Sequence, residues 1–149
     1  MTSNSYLYEV EVAWTEKRAG QVVSDDFPIL HVSAPPEFFG DAGVWTPEHL
    51  LTAATASCLM ITFLAVAEAS KVPVTSYRSK AIARLEKVPG EGYRFTEITV
   101  VPEIEITAED LEKARKALVR AEKGCFISNS LRTTVHVEPH FLVAAALGT

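Results

Sequence analysis

"PEHLLTAATASCLMITFLAVAEAS", residues 47–70, has no acidic or basic residue other than histidine between Glu48 and Glu68. As a helix it makes about six turns. The flanking residues punctuate it as one. Thr46 suits the N-cap, Pro47 the first helical position, and Glu48 complements the positive end of the dipole. Pro73 in "SKVPV" cannot continue the helix and marks its end. A helix that is apolar on every side is either the buried centre of a domain or a membrane span. Its length permits a span, but Thr52, Thr55, Ser57 and Thr62 interrupt it, and no aromatic belt or basic flank anchors it. The expectation is a buried central helix and no membrane partner.

Strand patterns lie on both sides of this helix. In "YEVEVAW", residues 8–14, Tyr8, Val10, Val12 and Trp14 face one way and Glu9 and Glu11 the other, the mark of a half-buried strand. "TEKRAG" turns the chain, and "QVVSD" and "PILHVSA" read as two more strands. "PPEFFGDAGVW" is a loop. After the helix, "TSYRSKAIARLEKV" and "YRFTEITVVPEIEI" form a long hairpin around "PGEG". Thr107 is placed to cap a second helix running to about Lys123, with Leu111, Ala114, Leu118 and Ala121 at helical spacing, and Gly124 to stop it. "CFISNSL" suits a short third helix and "TTVHVEP" a last strand, while the apolar tail "FLVAAALGT" is ambiguous. The order β-β-β-α-β-β-α-α-β, with antiparallel hairpins, predicts an α+β fold.

The chain has 149 residues and no repeat or linker, so one domain over residues 1–149 is expected. Net charge is −5 and no run of Lys or Arg exceeds two residues, which argues against a nucleic-acid partner. "MTSNSYLYEVEV" has neither the basic nor the apolar region of a secretory leader. Two cysteines in such a chain do not make a disulfide scaffold, and the cytoplasm is the expected compartment. The histidines His31, His49, His136 and His140 have no metal-ligand spacing.

Chemistry therefore rests on Cys58 and Cys125, 67 residues apart. Cys58 shares its helix face with Leu51, Ala54, Thr55, Ile61, Thr62 and Ala65. By its residues alone it reads as a small core filler, because burial without a cation makes a thiol inert. Cys125 opens a short helix, where unpaired N–H groups can favour a thiolate, or it is incidental at a helix boundary. The residues alone leave a redox pair open.

Both cysteine segments, "TPEHLLTAATASCLMITFLAVAEASKVPV" and "AEKGCFISNSL", strongly resemble the OsmC/Ohr family of cysteine-based organic hydroperoxide reductases. The order of elements agrees over nearly the whole chain. The resemblance implies an OsmC-like fold with antiparallel sheets around the central helix, in an intertwined homodimer. It implies a thiol peroxidase in which Cys58 attacks an organic hydroperoxide and becomes a sulfenic acid, and Cys125 closes a Cys58–Cys125 disulfide. An external dithiol, dihydrolipoamide or a thioredoxin-like protein, then restores the pair, with no metal or bound cofactor.

By the same resemblance Arg18 in "TEKRAG" supplies the cation and Glu48 orients it, with Lys17, Arg78 and Arg84 as alternatives if the register slips. Glu48 precedes Cys58 by ten residues, about 15 Å along a straight helix, so it serves a site shared with a second subunit or reaches through Arg18. Relatives carry proline after the second cysteine, where this chain has Phe126. Phe38, Phe39, Trp45 and Phe126 either pack in the core or line a pocket for an alkyl or aryl peroxide. The competing reading is a non-catalytic dimeric module that binds a hydrophobic ligand, with Cys58 buried and inert.

Overall fold

A computed structural model describes residues 4–143. Among these are seven strands and three α-helices, and the described residues divide between Leu50 and Leu51 into two compact units.

In the first unit β1 (Glu11–Glu16), β2 (Ala19–Val23) and β3 (Leu30–Ser33) form an antiparallel sheet in that order. The turn between β1 and β2 puts Lys17 at φ 45, and the indole N–H of Trp14 donates to the Lys17 carbonyl at 2.9 Å. β1 begins later than the alternating pattern, and it is exposed along its whole length. The half-burial expected of Val12 and Trp14 is not supplied by this chain.

Helix α1 (Pro47–Ala69) has the expected bounds. Thr46 caps it through a hydrogen bond from the His49 amide to Thr46 Oγ1 at 3.0 Å. Its first residues belong to the first unit and the rest to the second. Burial follows one stripe, Thr55, Leu59, Phe63 and Ala67, at i, i+4 spacing. The opposite face carries exposed Ile61 and Leu64.

In the second unit β4 (Ser76–Val88) and β5 (Gly92–Ile106) make the expected hairpin. Thr107 does not cap α2. It donates its hydroxyl to Asp110 Oδ2 at 2.8 Å, a 3-10 turn intervenes, and α2 runs Leu111–Gly124. Gly124 is the last helical residue and Cys125 takes an extended conformation, so α2 ends without a left-handed glycine. Helix α3 (Phe126–Ser130) follows at once. β6 (Thr134–Val137) and β7 (His140–Val143) both pair parallel with β5. They lie end to end on the edge that β4 leaves free. Parallel pairing follows from the helical crossover, which returns the chain before it enters β6. β7 resolves the first part of the ambiguous tail, and residues 144–149 lie outside the described region.

Alternate residues of β5, among them Ile98, Val100, Ile104 and Ile106, share one core with Leu59 and Phe63 of α1 and with Ala114, Leu118 and Ala121 of α2. Phe63 is fully buried and its ring lies 5.8 Å from that of Tyr77. Burial holds the Tyr77 hydroxyl in its neutral form, with its pKa pushed up to about 12. Phe63→Ala should therefore lower stability by about 3–5 kcal/mol, read as a fall in the urea midpoint at unchanged slope. A loss below about 1 kcal/mol would show that the stripe on α1 does not anchor this core.

Candidate active site

Cys58 lies midway along α1, half-buried, one residue before the buried Leu59. One turn later the Thr62 hydroxyl donates to the Cys58 carbonyl at 2.7 Å, and its oxygen lies 4.0 Å from Cys58 Sγ. Having a single proton, Thr62 serves the closer carbonyl first and the sulfur weakly.

Cys125 is fully buried at the N-cap of α3. The turn that carries it is pinned twice: the Asn129 amide donates to the Cys125 carbonyl at 3.0 Å, and Asn129 Nδ2 donates to the Lys123 carbonyl at 2.9 Å. The Ser128 hydroxyl donates to Cys125 Sγ at 3.3 Å.

Cys58 and Cys125 are both free thiols, and Cys125 is among the neighbours that act on Cys58. Partial burial pushes the Cys58 thiol up. The main-chain N–H of Ile127, the Cys125 thiol, the Thr62 hydroxyl and the main-chain N–H of Phe126 outweigh it, so that Cys58 lies below the ordinary cysteine value. No side-chain cation is among the groups that lower it. Main-chain donors after Cys125 favour the thiolate directly, and the Phe126 N–H among them is a group that a proline would lack.

Arg18 and Glu48 belong to the first unit, where both line a cleft of about 550 Å³ with Trp14, Val32 and Pro47. Arg18 is held in place although it sits in a turn. Its Nη1 donates to the Phe38 carbonyl at 3.0 Å, and the guanidinium stands 5.2 Å from the centre of the Phe39 ring. Phe39 adopts φ 68, a left-handed conformation that bulky residues rarely take. The next residue must be glycine, because a Cβ on Gly40 would come within 1.5 Å of the Ala34 carbonyl oxygen.

Of the four residues singled out in the sequence, Cys58 thus meets Cys125 in one unit, and Arg18 and Glu48 share a cleft in the other. Of the alternative cations, Arg84 is paired with Glu97 at 3.0 Å. Phe39, Trp45 and Phe126 are exposed, so they are not core residues. Sequence reasoning missed Ser128 and the two amides. Ser128 had a legible signal, its place three residues after a cysteine on a short helix. Among the described residues no three His, Cys, Asp or Glu side chains gather as a metal-binding set.

The family model for OsmC-like proteins matches residues 40–140, more than half of the chain. The chain belongs to the OsmC-like family. Arg18 lies outside the matched stretch. An OsmC-like protein of unknown function from Vibrio cholerae is 26% identical, with a TM-score of 0.79 over 89% of this chain and 99% of that one. An organic hydroperoxide resistance protein from Legionella pneumophila is 24% identical, with a TM-score of 0.73 over 93% and 100%. Another, from Elizabethkingia anophelis, is 21% identical, with a TM-score of 0.73 over 93% and 99%. No curated protein sequence matches the chain. The α+β architecture of this OsmC-like chain, two sheets with the long α1 between them in sequence, is that of these structures.

Phe126→Pro gives a direct test of the main-chain donors. Proline fits the first position of a helix, and Cys125 at φ −69, ψ 113 already has the extended conformation that precedes proline. The fold should survive while one N–H to Cys58 is lost. The midpoint of the alkylation rate of Cys58 against pH should move up in Phe126→Pro and stay in place in Phe126→Ala. Equal midpoints in both variants would remove the Phe126 amide from the account.

Proposed function

We propose that this OsmC-like protein is a thiol peroxidase that reduces organic hydroperoxides to alcohols. The observation that carries the reading is a half-exposed free thiol, Cys58, whose neighbours, a buried second thiol among them, hold it below its ordinary pKa. The names of the Legionella and Elizabethkingia structures agree with it. A non-catalytic ligand-binding module gives no reason for two neighbouring thiols.

The chemistry balances with these groups. The Cys58 thiolate attacks one peroxide oxygen and the O–O bond breaks. The leaving alkoxide takes up a proton as alcohol, and Cys58 becomes a sulfenic acid. Cys125 then bonds to the Cys58 sulfur, the S–O bond breaks, and hydroxide leaves with the Cys125 proton as water. An external dithiol, dihydrolipoamide or a thioredoxin-like protein, reduces the disulfide and is itself oxidised. No metal or bound cofactor enters these steps. The reading places the protein in the cytoplasm, where such reductants keep thiols reduced.

Arg18 enters as the group that receives the peroxide, its planar guanidinium donating to a peroxide oxygen, with Glu48 orienting it. We place these two opposite the Cys58 of a partner subunit in a homodimer. Support comes from the spacing of Glu48 and Cys58 on one helix and from apolar surface that the chain leaves open. Trp14 is 77% exposed, Val12 67% and Ile61 62%. Such surface on β1 and α1 calls for a covering partner, and a two-fold pair would supply two equivalent sites.

Mixing two inactive variants tests the reading as a whole. Cys58→Ser subunits and Glu48→Ala subunits should each lose peroxide turnover. Refolded together, they should regain part of it through heterodimers that hold one intact site. Full peroxide turnover in the Cys58→Ser protein would overturn Cys58 as the attacking thiol, and no turnover in the unaltered protein would overturn the peroxidase reading. Failure of every mixture to regain activity, with heterodimers present, would overturn the shared site.

A further inference from the structure

Ser128 has no part in the reaction as written, yet its side chain is bound to one of the two reacting sulfurs. It follows Cys125 by three residues, so on α3 it comes back over the N-cap residue. Its hydroxyl donates to Cys125 Sγ at 3.3 Å. Cys125 in turn is one of the neighbours that favour the Cys58 thiolate. The Ser128 hydroxyl thus acts on the sulfur that neighbours Cys58, and linked polar groups reinforce one another.

Two features make this more than an incidental contact. Asn129 fixes the turn through its own two hydrogen bonds, so the backbone sets the position of Ser128. Cys125 is also completely buried, where charge developing on its sulfur is costly unless a donor meets it. The Ser128 hydroxyl is a donor within reach. By occupying a lone pair of Cys125 Sγ it also leaves the S–H free to point at Cys58.

We propose that Ser128 is a positioning residue for the resolving step: it aims Cys125 Sγ at Cys58 and stabilises the negative charge that Cys125 Sγ takes on as its proton leaves, before the S–S bond forms. This rests on the resolving role given to Cys125 above. The bond made is Cys125 Sγ to Cys58 Sγ, and the bond broken is the one from Cys58 Sγ to its leaving group. Hydroxide leaves from a sulfenic acid and a thiolate leaves from a mixed disulfide. In both cases the Cys125 proton goes to the leaving group or to water.

An aromatic disulfide, dithiobisnitrobenzoate, tests this without peroxide. In the reduced full-length protein Cys58 attacks the reagent and releases one coloured thiolate. Cys125 then attacks the mixed disulfide and releases the second. Ser128→Ala should leave the first phase within about two-fold and slow the second by about three- to five-fold. Ser128→Thr, which keeps the hydroxyl, should restore the second phase. With an organic hydroperoxide, the Ser128→Ala protein should show a longer-lived sulfenic acid, trapped as its dimedone adduct. An unchanged second phase in Ser128→Ala would overturn the proposal, as would equal slowing of both phases in the alanine and threonine variants. A parent protein that releases no second thiolate would remove the resolving role of Cys125 and the proposal together. Two normal phases with no consumption of hydroperoxide would sink only the peroxidase reading.

Discussion

The polar surroundings of Cys58 Sγ are the constraint on which the site depends. A thiol on an apolar helix should be held protonated, and partial burial does push Cys58 that way. What reverses the sign is the segment after Cys125. The main-chain N–H groups of Phe126 and Ile127 favour the thiolate, and the same turn carries the second thiol. Much of the second unit serves to hold this turn in place. Phe63 and Leu59 seat α1 against β5, Leu118 and Ala121 seat α2 in the same core, and Asn129 ties the end of α2 to α3. Unlike a solvated side-chain cation, main-chain donors are fixed when the fold forms.

The first unit contributes a different kind of order. Its sheet carries exposed apolar side chains on β1, while its loop invests in a left-handed Phe39 and an obligatory Gly40 to hold an aromatic ring against Arg18. Strained backbone of this kind tends to persist where function maintains it. A guanidinium held by a carbonyl and a ring has lost much of the freedom a surface arginine normally keeps, and is better suited to meet a ligand. Under the proposed reading the first unit receives the peroxide and the second supplies the sulfur chemistry.

Most of the fold was legible because it follows from local signals. Thr46, Pro47 and Pro73 mark the bounds of α1, and alternation marks the β4–β5 hairpin. The rest depended on contacts between distant segments. The parallel pairing of β6 and β7 with β5 is set by the crossover that returns the chain, and the three residues of β7 within the apolar tail carry no distinctive period. Thr107 looked like a cap, but the nearby Asp110 carboxylate took its hydroxyl. The site was legible as residue types, two cysteines, an arginine and a glutamate, and all four gained a catalytic meaning only through resemblance. The donors that lower Cys58 were illegible because main-chain N–H groups leave no mark in composition. Only the fold decides which sulfur they face.

A thiol count most directly tests whether Cys58 and Cys125 act as one redox pair on organic hydroperoxides. The reduced protein is titrated with cumene hydroperoxide, free thiols are counted after each addition, and the oxidised product is mapped by peptide mass. The account predicts the loss of two thiols per chain for one hydroperoxide consumed, with a single peptide pair joined through Cys58 and Cys125. Two thiols still free after excess hydroperoxide, or a disulfide formed only between chains, would contradict it.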